Sequence, residues 1–275
     1  MARYLLASIA LLAATPALAQ DPDYPDPNDR SDSFTVGVGA GMVPDYEGAD
    51  EYKGIPAAFV RGRVGGFSFF TRGTYLYFDV LRGDGGTDFN FGPIVGWRGN
   101  RSGDVKDARV DKLPELDPAI EVGGFAGITW SGLTNPYDSL SVRVDVLTDV
   151  GGAHKSTVIS PTIDFGTPLS RTFYVGASAG LDWAGDDYAE YYYSISPAEG
   201  LVASLPAFEA EGGLKSWRLG LIANQSITGD LTGGFSVFGA LGYTHLVGDF
   251  ADSPIVDDRG SASQWLGALG VAYTW

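Results

Sequence analysis

The chain has 275 residues, with 18 Lys+Arg against 34 Asp+Glu, a formal charge of −16, two His and no Cys. That balance excludes a nucleic-acid surface, because such affinity comes from lysines and arginines that displace counterions. Without cysteine there are no disulfides, thiolate nucleophiles or Cys-held metal sites, and two histidines leave little for an imidazole metal centre.

Met1-Ala2-Arg3 supplies a positive start, Tyr4 to Ala14 an apolar run, and Ala17-Leu18-Ala19 small residues at a cleavage site, so residues 1–19 read as a cleaved signal peptide. The run is shorter than the roughly 20 residues that span a bilayer as a helix, and it breaks at Pro16. Residues 20–32, with Pro22, Pro25 and Pro27 among aspartates, read as a flexible leader. Residues 33–275 read as a single domain.

That domain alternates. Apolar residues at period two recur in segments of about ten, separated by Gly, Asp, Asn and Pro, which is the pattern of an outer-membrane β-barrel. Strands are predicted near 33–43, 54–64, 66–72, 74–82, 88–98, 118–130, 138–149, 155–166, 171–184, 213–225, 231–246 and 263–275. The fold expected is all-β, a transmembrane antiparallel up-and-down barrel of about twelve strands, with ten as the alternative if 67–81 is one strand bent at Gly73. The final segment shows the design: Trp265, Gly267, Leu269, Val271, Tyr273 and Trp275 share one face, and Gln264, Leu266, Ala268, Gly270, Ala272 and Thr274 the other. Aromatics at both ends of an apolar stripe match the interfacial girdles of a barrel. With both termini periplasmic, the short connections fall inside the cell envelope and the longer segments 44–53, 99–117, 185–212 and 247–262 face outward.

Turning the stripes toward lipid sends Arg61, Arg63, Arg72, Asp79, Arg98, Glu121, Arg143, Asp145, Asp164, Asp182 and Arg218 into the lumen, since an arginine facing mid-bilayer costs about 2–4 kcal/mol. These charges are expected either to lock the inner wall as an ion-pair lattice or to line a narrow pore. Tyr188, Tyr191, Tyr192 and Tyr193 in the longest loop are expected to fold over the mouth or to form a partner surface. Acidic clusters in the loops lack the twelve-residue spacing of a calcium loop, so no metal or cofactor is expected. Catalysis would need a serine beside His154 or His245 and a third, orienting group, and no such set is evident. Gly37-Val38-Gly39-Ala40-Gly41 lacks the lysine and helix of a nucleotide loop and reads as a strand with a thin inner face.

Three motifs carry a resemblance. Pro44-Asp45-Tyr46-Glu47-Gly48-Ala49-Asp50 after a glycine-rich first strand, Tyr191-Tyr192-Tyr193-Ser194-Ile195-Ser196 in the long loop, and Gly248-Asp249-Phe250-Ala251-Asp252-Ser253-Pro254-Ile255-Val256 before the last strand are similar to the MipA/OmpV family of outer-membrane proteins. The resemblance implies a bacterial outer-membrane location, contact with outer-membrane lipid, and recognition by the barrel-assembly machinery through a last strand ending in Trp275. It also implies a non-enzymatic scaffold joining a murein transglycosylase to a peptidoglycan synthase. Other members are described as porin-like, so a passive channel for small hydrophilic solutes stands as the alternative.

Overall fold

The structure, a computed structural model, describes residues 31–83 and 85–275. The signal peptide and most of the leader lie outside the described residues. Twelve strands form one closed antiparallel barrel in which each pairs with its sequence neighbours and the first pairs with the last. They are β1 (Ser33–Pro44), β2 (Tyr52–Val64), β3 (Phe67–Arg72), β4 (Tyr75–Asp79), β5 (Thr87–Arg98), β6 (Ala119–Ser131), β7 (Ser139–Asp149), β8 (Thr157–Pro168), β9 (Phe173–Ala184), β10 (Gly213–Ser226), β11 (Gly234–Leu246) and β12 (Ser263–Thr274). Gly73, at φ +57°, turns β3 into β4, so 67–81 is a hairpin and the count is twelve rather than ten.

Closure places one face of every strand against the surroundings. Val38 and Val271 are paired across the β1–β12 seam, as are Ala40 and Leu269. Trp265, Leu269 and Val271 stand 49%, 68% and 52% exposed, which in water would be a large apolar liability and in a bilayer is the lipid contact. Aromatics mark both rims. Trp217, Tyr243 and Trp265 cluster at one end, and Phe34, Phe235, Tyr273 and Trp275 at the other. No helix of the described residues is long and apolar enough to cross a membrane; the crossing is made by strands.

The turns at 65–66, 132–138, 169–172 and 227–233, with the connection from β4 to β5, lie at the end holding the chain termini, and the first is the two-glycine turn with positive φ at Gly65 and Gly66 that tight hairpins prefer. The long connections lie at the opposite end and fold into structure of their own. Helices α1 (Asp186–Tyr193), α2 (Pro197–Ala203) and α3 (Asp249–Asp252) sit there. Ser196 caps α2 reciprocally with Glu199 and Pro197 opens it, which gives this short helix a defined start.

Candidate functional site

Four loops that the sequence holds far apart meet over the outer mouth. In the β1–β2 loop, Tyr46 is buried and its hydroxyl donates to the Ile255 carbonyl at 2.9 Å. Gly48 follows at φ +105°, where a Cβ would lie 2.4 Å from Val256 Cγ2, so the turn and the close approach both require glycine. Its N–H donates to Gln264 Oε1 at 3.1 Å. From the long loop, α1 drives Tyr188, Tyr192 and Tyr193 inward until none is exposed. Phe250 of α3 meets Tyr193 edge-on at 5.1 Å, and Ser253 Oγ donates to the Tyr193 carbonyl at 2.6 Å. Val110, Leu113, Ile195, Leu205 and Leu246 complete one apolar core. The tyrosine cluster therefore folds over the mouth.

Beneath this plug lies a polar floor. Lys215 occupies the bulge that shifts the β9–β10 register between Leu214 and Ser216, which re-aims its side chain inward. It donates to Glu47, as does the Tyr188 hydroxyl at 2.9 Å. Burial opposes the Glu47 charge, but Lys215, Arg98 and these two hydrogen bonds outweigh it and hold the carboxyl below its usual range. Burial pushes the Tyr188 hydroxyl well above its usual range, so it remains a donor. Alongside, Arg98 makes two bonds to the fully buried Glu121, at 3.0 and 3.2 Å, and Tyr75 donates to the same carboxylate. His154 Nδ1 accepts from the Ser156 amide at 3.2 Å, which leaves the proton on Nε2 for Glu121 at 2.9 Å.

A second layer crosses the lumen from β3 to β8. Arg72 grips Asp164 with two bonds, at 3.2 and 2.9 Å, while Arg143 binds Asp145 at 2.6 Å and Asp164 at 3.4 Å. The Tyr77 hydroxyl donates to Asp145 at 2.9 Å, and Phe70 stacks on the Tyr77 ring at 4.9 Å. A third pair, Arg218 and Asp182, lies 3.0 Å apart, with Ser160 and Ser216 donating to Asp182. Asp79 instead accepts from Asn90 and from the Leu81 and Phe91 amides. Arg61 and Arg63 stand on the inner face of β2 without a salt bridge to any described residue.

The sequence reading missed Lys215, Tyr75, Tyr77 and His154 as members of these layers. Tyr75 and Tyr77 share the parity of Asp79 and were readable from it. Lys215 was not, because a bulge breaks the alternation. Among the described residues, neither histidine bonds both a serine hydroxyl and a carboxylate. His154 takes the Ser156 amide rather than its hydroxyl. His245 Nδ1 does lie 3.3 Å from Ser263 Oγ and 3.4 Å from the Tyr243 hydroxyl, in the outer aromatic girdle, yet its hydrogen bonds go to hydroxyls and an orienting carboxylate is not among its partners. Among the described residues no group of three His, Asp or Glu is arranged to hold a metal.

An apolar band outside, ion pairs inside and a folded plug at the long-loop end define a bacterial outer-membrane β-barrel protein. The family described as MltA-interacting protein MipA matches residues 36–275, and the chain belongs to it. The MltA-interacting protein of Escherichia coli (strain K12) is 24% identical over 249 residues, covering 88% of this chain and 89% of the relative; the protein of that name from Shigella flexneri matches to the same extent. Among solved structures, the COG4313 outer membrane channel from Pseudomonas putida F1 aligns with a TM-score of 0.45 at 12% identity, covering 93% of this chain and 99% of that one. The NanC porin aligns with a TM-score of 0.43 at 9% identity, covering 88% and 98%.

Proposed function

We propose that the protein is a non-enzymatic structural barrel, sealed on its outer side, that presents its periplasmic rim to a murein transglycosylase. The observation that carries the sealed, structural part is the plug: three fully buried tyrosines over the pair of a buried Lys215 and a partly buried Glu47. Such a core costs conformational entropy that mobile pore loops do not, and it is stabilised only when it stays assembled. The partner class is taken from the name of the relatives. It is supported by the inner turns, four of which expose an aliphatic side chain, namely Leu81, Leu133, Leu169 and Ile227. Eight of the eleven inward charges, all but Arg61, Arg63 and Asp79, act in this reading as an ion-paired lattice bracing the wall.

Photocrosslinkers placed at Leu133 and Ile227 in intact cells test the docking. Capture of a murein transglycosylase from these positions, and not from exposed Leu201 in the outer loop, is the expected result. A porin-like channel is the competing reading, favoured by Arg61 and Arg63, which meet no carboxylate among the described residues and would select anions. Steady current through the intact protein in a planar bilayer would establish it and end the sealed reading.

A further inference from the structure

The barrel wall is incomplete at one place. Strand β2 runs from Tyr52 to Val64, yet it pairs with β3 only from Arg61 to Val64. Thr71 Oγ1 extends the contact by one residue, accepting from the Val60 N–H at 3.1 Å and donating to the Val60 carbonyl at 3.3 Å. Beyond that the edge is bare. Phe34 exchanges backbone bonds with Trp275, so β1 residues of its parity face β12, and their β2 partners Val60, Ala58, Pro56 and Gly54 turn their backbone groups toward β3. No described residue meets the carbonyls of Gly54, Pro56 and Ala58 or the N–H groups of Gly54 and Ala58. Proline, which has no N–H to leave unpaired, stands in the middle of the edge.

The register fixes the depth of this gap. Pro56 is level with Ala40 and through it with Leu269, and Ala58 with Val38 and Val271, all within the lipid-facing stripe. A strand edge at that depth is not left against hydrocarbon unless it is wetted or covered from the lumen. The gap is framed below by the β3–β4 tip, where Thr74 Oγ1 donates to the Trp97 carbonyl at 2.5 Å. It is roofed by the 99–118 loop, from which Lys106 Nζ reaches the Tyr52 carbonyl at 2.5 Å.

Behind the gap, on the outer side of Arg61 and Arg63 of the same β2 face, the lumen wall is apolar. Ile55, Ile222 and Leu266 point inward by register yet are 37%, 51% and 43% exposed. Phe59 and Phe238 face them, edge to face at 5.0 Å. Four of these side chains lie flat over the glycine directly across the ladder: Phe59 over Gly37, Phe238 over Gly270, Leu266 over Gly242 and Ile222 over Gly176. The glycines keep the large side chains against the wall and leave the space in front of them open. The ion pairs occupy the opposite side, on β3 to β10.

We infer that the β2 edge is a lateral portal, and that the apolar inner wall of β2, β10, β11 and β12 binds a hydrocarbon chain of an outer-leaflet lipid that enters past Ile55. The occupant follows from continuity: the only medium adjoining the gap at this depth is acyl chain, and the surface behind it is aliphatic. This goes beyond the structural reading and does not depend on the murein partner.

The natural chain has no cysteine, so single-cysteine variants can each carry one fluorophore. Bimane is attached at Ile55→Cys, Leu266→Cys, Ser141→Cys on the inner face of the closed wall, and Leu269→Cys on the outer face. Each variant is checked for the heat-modifiable gel mobility of a folded barrel. The protein is then reconstituted in phosphatidylcholine vesicles containing phospholipid brominated on its acyl chains. Quenching at Ile55 and Leu266 at least twofold above that at Ser141, approaching that at Leu269, is the expected result. Quenching at either position no greater than at Ser141, while Leu269 is quenched, overturns the portal.

Discussion

Lys215 of β10 donates its ammonium to Glu47 of the β1–β2 loop, a partner 168 residues away, and the two side chains are 4% and 23% exposed. This pair ties the plug to the barrel wall. Replacing Glu47 by Ala leaves a buried cation without its counter-charge, a loss of about 3 kcal/mol for a pair of this kind. The E47A variant should therefore unfold at a lower temperature in heat-modifiability gels and be nicked faster within 185–212. Combining Glu47→Gln with Lys215→Met removes both charges together and should recover most of that loss.

The same carboxylate sets an acid limit for the plug. Glu47 is held below its ordinary range in the folded protein, against the opposing effect of its burial, by Lys215 and Arg98. Asp107 behaves alike, with burial opposed by hydrogen bonds from Arg259 and from the Val110 and Arg109 amides. A carboxyl whose folded pKa is depressed gives stability that is complete above its unfolded value, about 4, and is lost as pH falls through the lower folded value. Hydrogen exchange in α1 should thus be flat from pH 7 to about 5, after correction for the intrinsic rate, and accelerate below about 4. Glu47→Gln should abolish the larger part of that acid step.

The barrel was legible in the sequence because a single sheet separates two media, so each strand carries its environment as parity; the β12 stripe from Trp265 to Tyr273 is the clearest instance. The short β3–β4 hairpin was only half legible: Gly73 marked a break, but a bend within one strand fitted the alternation as well, and only the positive φ at Gly73 and the β3–β4 pairing decide for a turn. The plug was not. Helix α1 buries Tyr188, Ala189, Tyr192 and Tyr193, the i, i+1, i+4 and i+5 positions of one helical face, but eight residues are too short for that period to stand out from the alternation around it. Parity also cannot say which arginine meets which carboxylate. Arg72 reaches Asp164 across the lumen, 92 residues away, because of barrel stagger, which depends on all the registers at once.

Gly270 and Phe238 are paired across β11 and β12, and a Cβ on the glycine would lie 2.3 Å from the Val38 carbonyl oxygen of β1 and 2.6 Å from the Phe238 ring. Gly270→Ala should lower the yield of folded barrel and its unfolding temperature, because the ring has to lift from the wall and the β1 backbone at Val38 has to give. Phe238→Ala alone removes buried contacts and is also unfavourable. Together they should be less harmful than their sum, since the ring clash is gone, while the clash with the Val38 carbonyl remains and keeps the double variant below the natural protein. Independent, additive losses in the double variant would show that the glycine does not serve to seat this ring.

The sealed mouth makes the sharpest claim about transport. Residues 186–210 carry all three buried tyrosines of α1, and Gly185 and Gly212 flank them beside the facing ends of β9 and β10. A Cβ on Gly212 would lie 2.6 Å from the carbonyl carbon of Gly185, so a short turn can bridge the deletion without moving either strand. The intact protein should carry no steady current in a planar bilayer, while the deletion variant should open discrete conductance steps, because water reaches the Glu47–Lys215 floor once the tyrosines are gone. If the deletion variant is also silent, the Arg72–Asp164–Arg143 layer is the tighter barrier, and Asp164→Ala in that background should open it by freeing two arginines from their shared carboxylate. Current through the intact chain is the outcome that contradicts the plug as a seal.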